Sequence, residues 1–381
     1  MIIPSRLPEV GTSIFTVMSR MALEQGALNL SQGFPDFPVS EKLVDLIHQN
    51  MKAGHNQYAP MAGTPALRKA IADVVQQTYQ RTTDFETEVT ITAGGTEAIF
   101  SAIAALVNQG DEVILFDPSY DSYDPAIRLN GGVPVHLSLK PPHFSIDWQQ
   151  VRDAITPRTR MIMINTPHNP TGAVLSSHDL KELEGIAIRN NIIVLSDEVY
   201  ERIIFDDYPH ESVLKYPGLA HHSIAVFSFG KTFHATGWKV GYTVASEQLT
   251  REIRKAHQFI TFSVNTPVQL ALAEYLTVPE HYQTLGKFYQ QKRDLFLNLL
   301  KGTALEPLPC YGSYFQLVSY RNFSQKPDVA MAEWMTKEWK LAPIPISVFY
   351  KDQTNGYLLR FCFAKSEETL HKAGEILQKF R

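Results

Sequence analysis

Short apolar runs alternate along this chain with longer stretches in which apolar residues return every three or four positions. The short runs predict strands at 89–92, 112–116, 133–137, 160–165, 192–197, 224–228 and 240–245. Unbroken apolar runs such as Ile162-Met163-Ile164 and Ile192-Ile193-Val194-Leu195 predict strands covered on both faces. The helical period fills the gaps at 40–52, 65–79, 96–108, 247–260 and 266–275. This alternation predicts an α/β fold built on a large, doubly wound, mostly parallel sheet. From about residue 281 the pattern changes to a long polar helix at 282–301 and short strands at 312–318 and 357–364. We therefore expect a large domain over 41–280 and a smaller α+β domain over 281–381.

Composition removes several classes of function. With 381 residues, 44% hydrophobic and 19% charged, the chain can bury a large core. A net charge of −4 leaves no basic footprint, so nucleic acid is not an expected partner. The opening Met-Ile-Ile-Pro lacks the charged and apolar segments of an export signal, and no run approaches the ~18 apolar residues of a membrane span. Cys310 and Cys362 stand in unrelated contexts and read as small apolar residues in a reducing cytoplasm. The 13 histidines form no cluster with zinc spacing, so no metal is expected.

Chemistry enters at the strand ends. Lys231, in Ser228-Phe229-Gly230-Lys231-Thr232, follows the strand at 224–228. Only a neutral amine attacks a carbonyl, and burial or nearby cations lower a lysine's pKa enough to supply one. This placement suits covalent chemistry on a phosphorylated carbonyl cofactor; a solvated strand-end lysine or a phosphate clamp is the plainer alternative. A nucleoside triphosphate loop is excluded because Ala225 stands where its first glycine is required. The turn Thr92-Ala93-Gly94-Gly95-Thr96-Glu97 lacks dinucleotide spacing but ends a strand and opens a helix, whose free amides suit one phosphate monoester. Asn169, in a proline-punctuated loop, and Asp197, before Tyr200, also follow buried strands, so both should face the crevice that receives Lys231. A carboxylate beneath a pyridine nitrogen keeps it protonated and the ring electron-poor, while an amide and a phenol can hold a ring oxygen. Arg360 interrupts the apolar run Leu358-Leu359-Arg360-Phe361-Cys362; a guanidinium in such surroundings needs an anion, such as a substrate carboxylate, or acceptors to offset its desolvation, the alternative being an arginine that points off a solvated sheet face.

Asn169-Pro170-Thr171-Gly172, Asp197-Glu198-Val199-Tyr200, Ser228-x-x-Lys231 and Gly237-Trp238-Lys239, in this order, resemble the pyridoxal phosphate aminotransferases of fold type I, class I/II. The likeness extends from Ser31-Gln32-Gly33-Phe34-Pro35-Asp36 to Arg360 and beyond, and within the family is greatest to the methionine and kynurenine aminotransferase branch. It implies pyridoxal 5′-phosphate as cofactor, amino acids and 2-oxo acids as substrates in a ping-pong exchange, and an N-terminal arm, 1–40, that joins the smaller domain and the site entrance. Lys231 would bond to the cofactor and shuttle the proton, Asp197 would pair with its ring nitrogen, and Asn169 and Tyr200 would contact its 3-oxygen. Gly94, Gly95, Thr96, Ser228 and Lys239 would hold the phosphate, and Tyr120 would stack on the ring. Many relatives carry arginine where this chain has Lys239, so a point charge replaces a planar fork. Tyr58 would reach the phosphate of a neighbouring subunit, which requires a homodimer. Arg360, with Asn169 and Gly33 beside it, would bind the substrate carboxylate.

Side-chain preference is less legible. Relatives acting on aspartate place a second arginine near the stretch that here reads Phe259-Ile260-Thr261-Phe262-Ser263-Val264, which has no cation. An uncharged donor follows, with Ile14, Phe15, Phe34 and Phe262 as candidate pocket walls and methionine as the expected amino donor. Aromatic amino acids, histidine, glutamine and kynurenine are alternatives, as is β-elimination from cysteine conjugates, which needs the same carbanion. A purely regulatory role is disfavoured because the full set of catalytic residue types is present.

Overall fold

Seven of the apolar runs pair into one sheet: β1 (Val89–Thr92), β2 (Glu112–Asp117), β3 (Val133–Ser138), β4 (Thr159–Asn165), β5 (Ile193–Asp197), β6 (Ser223–Ser228) and β7 (Gly241–Ala245), in the spatial order β1-β7-β6-β5-β4-β2-β3. The computed structural model describes residues 3–380; Met1, Ile2 and Arg381 lie outside the described residues. Strands β2 to β6 are mutually parallel, whereas β7 runs antiparallel to both β1 and β6. It follows that β1, β2, β4, β5 and β6 all end at one edge of the sheet, and that β7 begins there.

The unbroken apolar runs bury both faces because successive side chains on a strand point to opposite sides. Val113, Leu115, Met161, Met163, Leu195 and Val226 pack in one core, whereas Ile114, Phe116, Ile162, Ile164, Val194 and Phe227 pack in the other. The first core is closed by the helices Gly94–Leu106, Tyr123–Leu129 and Glu247–Ile260, and the second by helices that include Pro65–Tyr79 and Ser177–Asn190. Each such fully buried aliphatic side chain contributes roughly 1.5–3 kcal/mol of transfer free energy.

Chain order sets the crevice. From β2 the chain steps outward to β3, then returns across β2 to β4 and continues through β5 and β6 in the opposite direction. Loops therefore leave β2 and β4 towards opposite faces, opening a gap at their carboxyl ends, as the switch-point rule requires.

A second, antiparallel sheet comprises β8 (Glu306–Pro307), β9 (Phe315–Ser319), β10 (Ile344–Pro345) and β11 (Leu358–Cys362), in the order β10-β11-β9-β8. The N-terminal segment joins it: Leu28–Asn29 pairs in parallel with Leu341–Ala342, and the Cys362 amide donates to the Leu30 carbonyl at 2.8 Å. The helices Ile14–Gln25, Asp328–Glu338 and Glu367–Leu377 are additional to those expected, and the polar helix expected at 282–301 is divided into Glu280–Gln283 and Leu285–Leu300. Helix Gly94–Leu106 begins two residues earlier than its apolar period suggested, because the glycine turn itself supplies the first turn.

Candidate active site

The shared edge delivers residues from six strands to one cavity of about 310 Å3. Gly94, Gly95 and Thr96 come from the turn after β1, Tyr120 from the loop after β2, and Asn169 from the loop after β4. Asp197 ends β5 and Tyr200 follows it, Ser228 ends β6 with Lys231 just beyond, and Lys239 precedes β7. Phe15, Gly33 and Arg360 complete the wall from the arm and the second sheet. Ile14, Phe34, Tyr58 and Phe262 lie outside it. Ile14 packs on the main core, Phe34 is 45% exposed, and Tyr58 is 82% exposed with its ring edge-on to Phe262 at 5.2 Å.

The Lys231 amine borders the cavity and is otherwise enclosed by protein. It donates to the Tyr314 hydroxyl at 2.8 Å and to the Gly33 carbonyl at 3.3 Å, and lies over the rings of Tyr200 and Tyr314. Burial, reinforced by Arg360 and Lys239, draws its pKa down to about 8, so a substantial neutral fraction exists near neutrality. Asp197 is buried; the Tyr123 hydroxyl donates to it at 2.6 Å and the Val199 amide at 3.2 Å. Burial pushes its pKa up to about 6 against those two donors. Burial also raises the Tyr200 phenol far above its ordinary value.

Arg360 is 1% exposed, yet among the described residues no carboxylate pairs with it. Its two terminal nitrogens donate to Asn169 Oδ1 at 2.7 Å and to the Ser31 carbonyl at 2.9 Å, while Nε has no partner. The guanidinium lies 3.8 Å from the centre of the Phe315 ring and 5.2 Å from that of Phe15. Burial lowers its pKa to about 10, the signature of a cation short of a counter-charge.

Helix Gly94–Leu106 has Ala93 at its N-cap and no side-chain cap, so its first amides are left for a ligand. Gly94 has φ +81°, and a Cβ there would stand 3.5 Å from the Lys239 amine. The positive φ, rather than lack of space, is what calls for glycine at this turn, beside the Lys239 ammonium.

The loop carrying Tyr120 is pinned from below. His136 Nδ1 lies 3.0 Å from the Asp117 carboxylate and its Nε2 2.9 Å from Asp124, bracketing residues 118–123. Burial opposes charge on the imidazole, but the two carboxylates outweigh it and raise its pKa to about 9. A folded pKa above the ordinary 6.5 means this stabilisation is complete below pH 6.5 and is lost as pH rises through about 9. Melting curves of His136→Gln should accordingly fall below wild type at pH 6 and converge with it by about pH 9.5; equal displacement at both pH values would refute a charged imidazole.

The family pattern described as aminotransferase class I and II matches residues 25–377. The chain belongs to the class I and II aminotransferases. It is 50% identical over 376 residues to a methionine aminotransferase of Escherichia coli (strain K12), covering 98% of this chain and 97% of that protein. The solved structure of YbdL from Escherichia coli, whose reactivity identifies a methionine aminotransferase function, is also 50% identical and covers 100% of both chains with a TM-score of 0.98. N-succinyldiaminopimelate aminotransferase from Mycobacterium tuberculosis is similar at 35% identity and a TM-score of 0.96, covering 100% of both chains. Kynurenine–oxoglutarate transaminase of Dictyostelium discoideum is 33% identical over 411 residues, covering 97% of this chain and 94% of that protein.

Enzymes of this class depend on pyridoxal 5′-phosphate, and the residues present fit it. Asp197 is a buried carboxylate with neutral donors and room for a cationic ring nitrogen. The uncapped helix start, Ser228 and Lys239 offer amides, a hydroxyl and a positive charge to a phosphate. The Lys231 amine stands in the same cavity. Several contributors went unassigned in the sequence. Tyr123 holds Asp197, and Asn165 links Asn169 to β5: its Oδ1 accepts from the Asn169 amide at 2.7 Å and its Nδ2 donates to the Asp197 carbonyl at 2.8 Å. Tyr314 and Phe315 meet Lys231 and Arg360 from the second sheet, and Gln32 lines the cavity from the arm. Tyr123 stood in the same short run as Tyr120; nothing local distinguished Tyr314.

Proposed function

We propose that this aminotransferase takes methionine as its preferred amino donor and passes the amino group to a 2-oxo acid. The observation that carries the reading is the set of cations on the cavity wall, which among the described residues is Lys231, Lys239 and Arg360. The first is assigned to covalent attachment, the second to phosphate and the third to the substrate's α-carboxylate. None remains for a distal carboxylate, and burying one without a partner costs several kcal/mol. Phe15 and Phe315 line the same space, which suits a thioether or aromatic side chain. The similarity to methionine aminotransferase supports the same donor.

Bound pyridoxal phosphate supplies an aldehyde for the amine and a ring that draws electrons from the substrate's α-carbon. Gly94, Gly95, Thr96, Ser228 and Lys239 would hold its phosphate, Asp197 its ring nitrogen, and Asn169 and Tyr200 its 3-oxygen, with Tyr120 against the ring. Arg360 would orient the substrate by its carboxylate, supplying the cation that this anion needs. Lys231, once its nitrogen is free and neutral, would take the α-proton and deliver it to a carbon two atoms away, general acid–base work that its lowered pKa suits. The aromatic walls exclude water from that transfer.

We assign residues 1–40 to an arm at the entrance, 41–280 to the large cofactor-binding domain and 281–381 to the small domain; the pairing of Leu28–Asn29 with Leu341–Ala342 supports grouping the arm with the last. We also propose a homodimer in which Tyr58 reaches the neighbouring phosphate site. Exposure of Tyr58, and of Phe259 at 90%, supports a covered surface there. Buried, unpaired Cys310 and Cys362 support a cytoplasmic setting.

A panel of amino donors against several 2-oxo acids tests the proposal. Methionine should exceed aspartate in kcat/KM by about 100-fold or more, the factor expected from an unpaired buried carboxylate. Preference for aspartate would overturn it. Release of pyruvate and ammonia from cysteine conjugates without added 2-oxo acid would instead reveal β-elimination.

A further inference from the structure

We propose that Tyr314 is a positioning residue for Lys231: with the Gly33 carbonyl it holds the N–H bonds of the free amine, and through that carbonyl it ties the lysine's covalent state to segment 31–36. The inference rests on the proposed covalent role of Lys231.

The phenol has one proton, and it is donated to the Gly33 carbonyl. Towards Lys231 the same oxygen can act only as an acceptor, at 2.8 Å. A neutral amine carries two N–H bonds, and Tyr314 and Gly33 are two acceptors for them. The lone pair is then directed away from both, towards the cavity that Lys231 lines. The Tyr314 ring is fully buried and fixed edge-on against Tyr200 at 5.0 Å and Phe315 at 4.9 Å, so the acceptor cannot drift. Gly33 permits the approach, because a Cβ there would stand 2.7 Å from the Phe315 ring.

A nitrogen doubly bonded to carbon carries at most one N–H, so Lys231 cannot serve both acceptors while attached to a cofactor. Release of the amine restores the second bond. Segment 31–36 is the piece of chain this bond would hold, and it also carries the Ser31 carbonyl that accepts from Arg360 and the Phe34 carbonyl that accepts from Lys365 at 2.8 Å. Tyr314 thus links the state of the lysine to the segment that contacts the carboxylate-binding arginine.

The test mixes cofactor-free, full-length protein with pyridoxal 5′-phosphate and follows the visible absorbance change from pH 6 to pH 10, with hydrogen exchange measured in segment 31–36. Wild type should react with a midpoint near pH 8. Tyr314→Phe keeps the ring but should lower the plateau rate about tenfold, the loss expected for one hydrogen bond to an amine. Its midpoint should move below that of wild type, because an acceptor that favours the ammonium has gone, and exchange in segment 31–36 should quicken. An unchanged midpoint and plateau would overturn the proposal. Should Tyr314→Phe fail to fold, 3-fluorotyrosine placed at position 314 weakens the same acceptor, and its midpoint must still fall. If wild type gives no absorbance change, or Lys231→Ala reacts equally fast, the covalent reading fails and this inference with it; a response lost in Lys231→Ala but unaltered in Tyr314→Phe defeats this inference alone.

Discussion

Replacing Lys231 by alanine is expected to lower transamination by about 10⁴-fold or more, because in the proposed mechanism the change removes the nucleophile and the acid–base group together. The enclosed amine leaves no substitute: among the described residues the other cations on the cavity wall are Lys239, beside the helix start, and Arg360, already hydrogen-bonded to Asn169 and Ser31. Binding of the cofactor need not vanish, since Asp197 and the phosphate donors are untouched. The visible band of a covalent adduct should disappear while a weaker, non-covalent complex persists. The same lysine sets a pH dependence in the cofactor-free protein. Its folded pKa of about 8 lies below the ordinary 10.5, so the buried ammonium costs stability in full below about pH 8, and the cost vanishes as pH rises to 10.5. Cofactor-free wild type should gain stability across that window relative to Lys231→Ala. Parallel melting curves for the two proteins would contradict the assignment of a buried, depressed amine, and undiminished turnover would remove Lys231 from the chemistry.

Arg360→Met should separate function from stability. A carboxylate held by a buried guanidinium loses about 3–4 kcal/mol when the cation is removed, or roughly 10²–10³-fold in kcat/KM. Much of the loss should fall on KM, because the proposed carboxylate contact would be made in ground state and transition state alike. The cofactor-free protein should nevertheless melt no lower than wild type. Arg360 is a buried cation with an unpartnered Nε and no carboxylate within the described residues, and replacing such a charge by an apolar side chain of similar volume is often neutral or stabilising. The Asn169 side chain and Ser31 carbonyl lose donors, which limits any gain. Retained activity with a lowered melting temperature would mean that Arg360 serves the fold alone.

The two residues also mark how much was legible beforehand. Lys231, Asp197 and Asn169 each follow an apolar strand, and parallel strands in an open sheet end at one edge, so their convergence followed from local pattern and a rule of topology. Arg360 was conspicuous because a charge within an apolar run has a cost that must be met somewhere. Tyr123 and Asn165 were harder. Both occupy the expected loops and strand ends, but their roles depend on one particular neighbour: the Asp197 carboxylate for one, the Asn169 backbone N–H for the other. Tyr314 lies far from Lys231 in the chain, and only packing of the second sheet against the first brings its hydroxyl to 2.8 Å.

Ile14, Phe34, Tyr58 and Phe262 show the same limit from the other side. Their apolar or aromatic character made them candidates for the site, yet within one chain they stand outside the cavity, and Tyr58 and Phe262 meet each other instead. Hydrophobic character states that a side chain gains by leaving water, but not which surface will cover it.

By itself the sequence determined the alternation of strands and helices, the crevice at the strand ends and the residue types that could do the chemistry, because these depend on short-range periodicity and on the cost of burying charge. Only the tertiary structure decided which distant side chains hold Lys231, Asp197 and Arg360 in place, because a hydrogen bond is fixed by distances of a few tenths of an ångström between elements whose separation along the chain carries no such information.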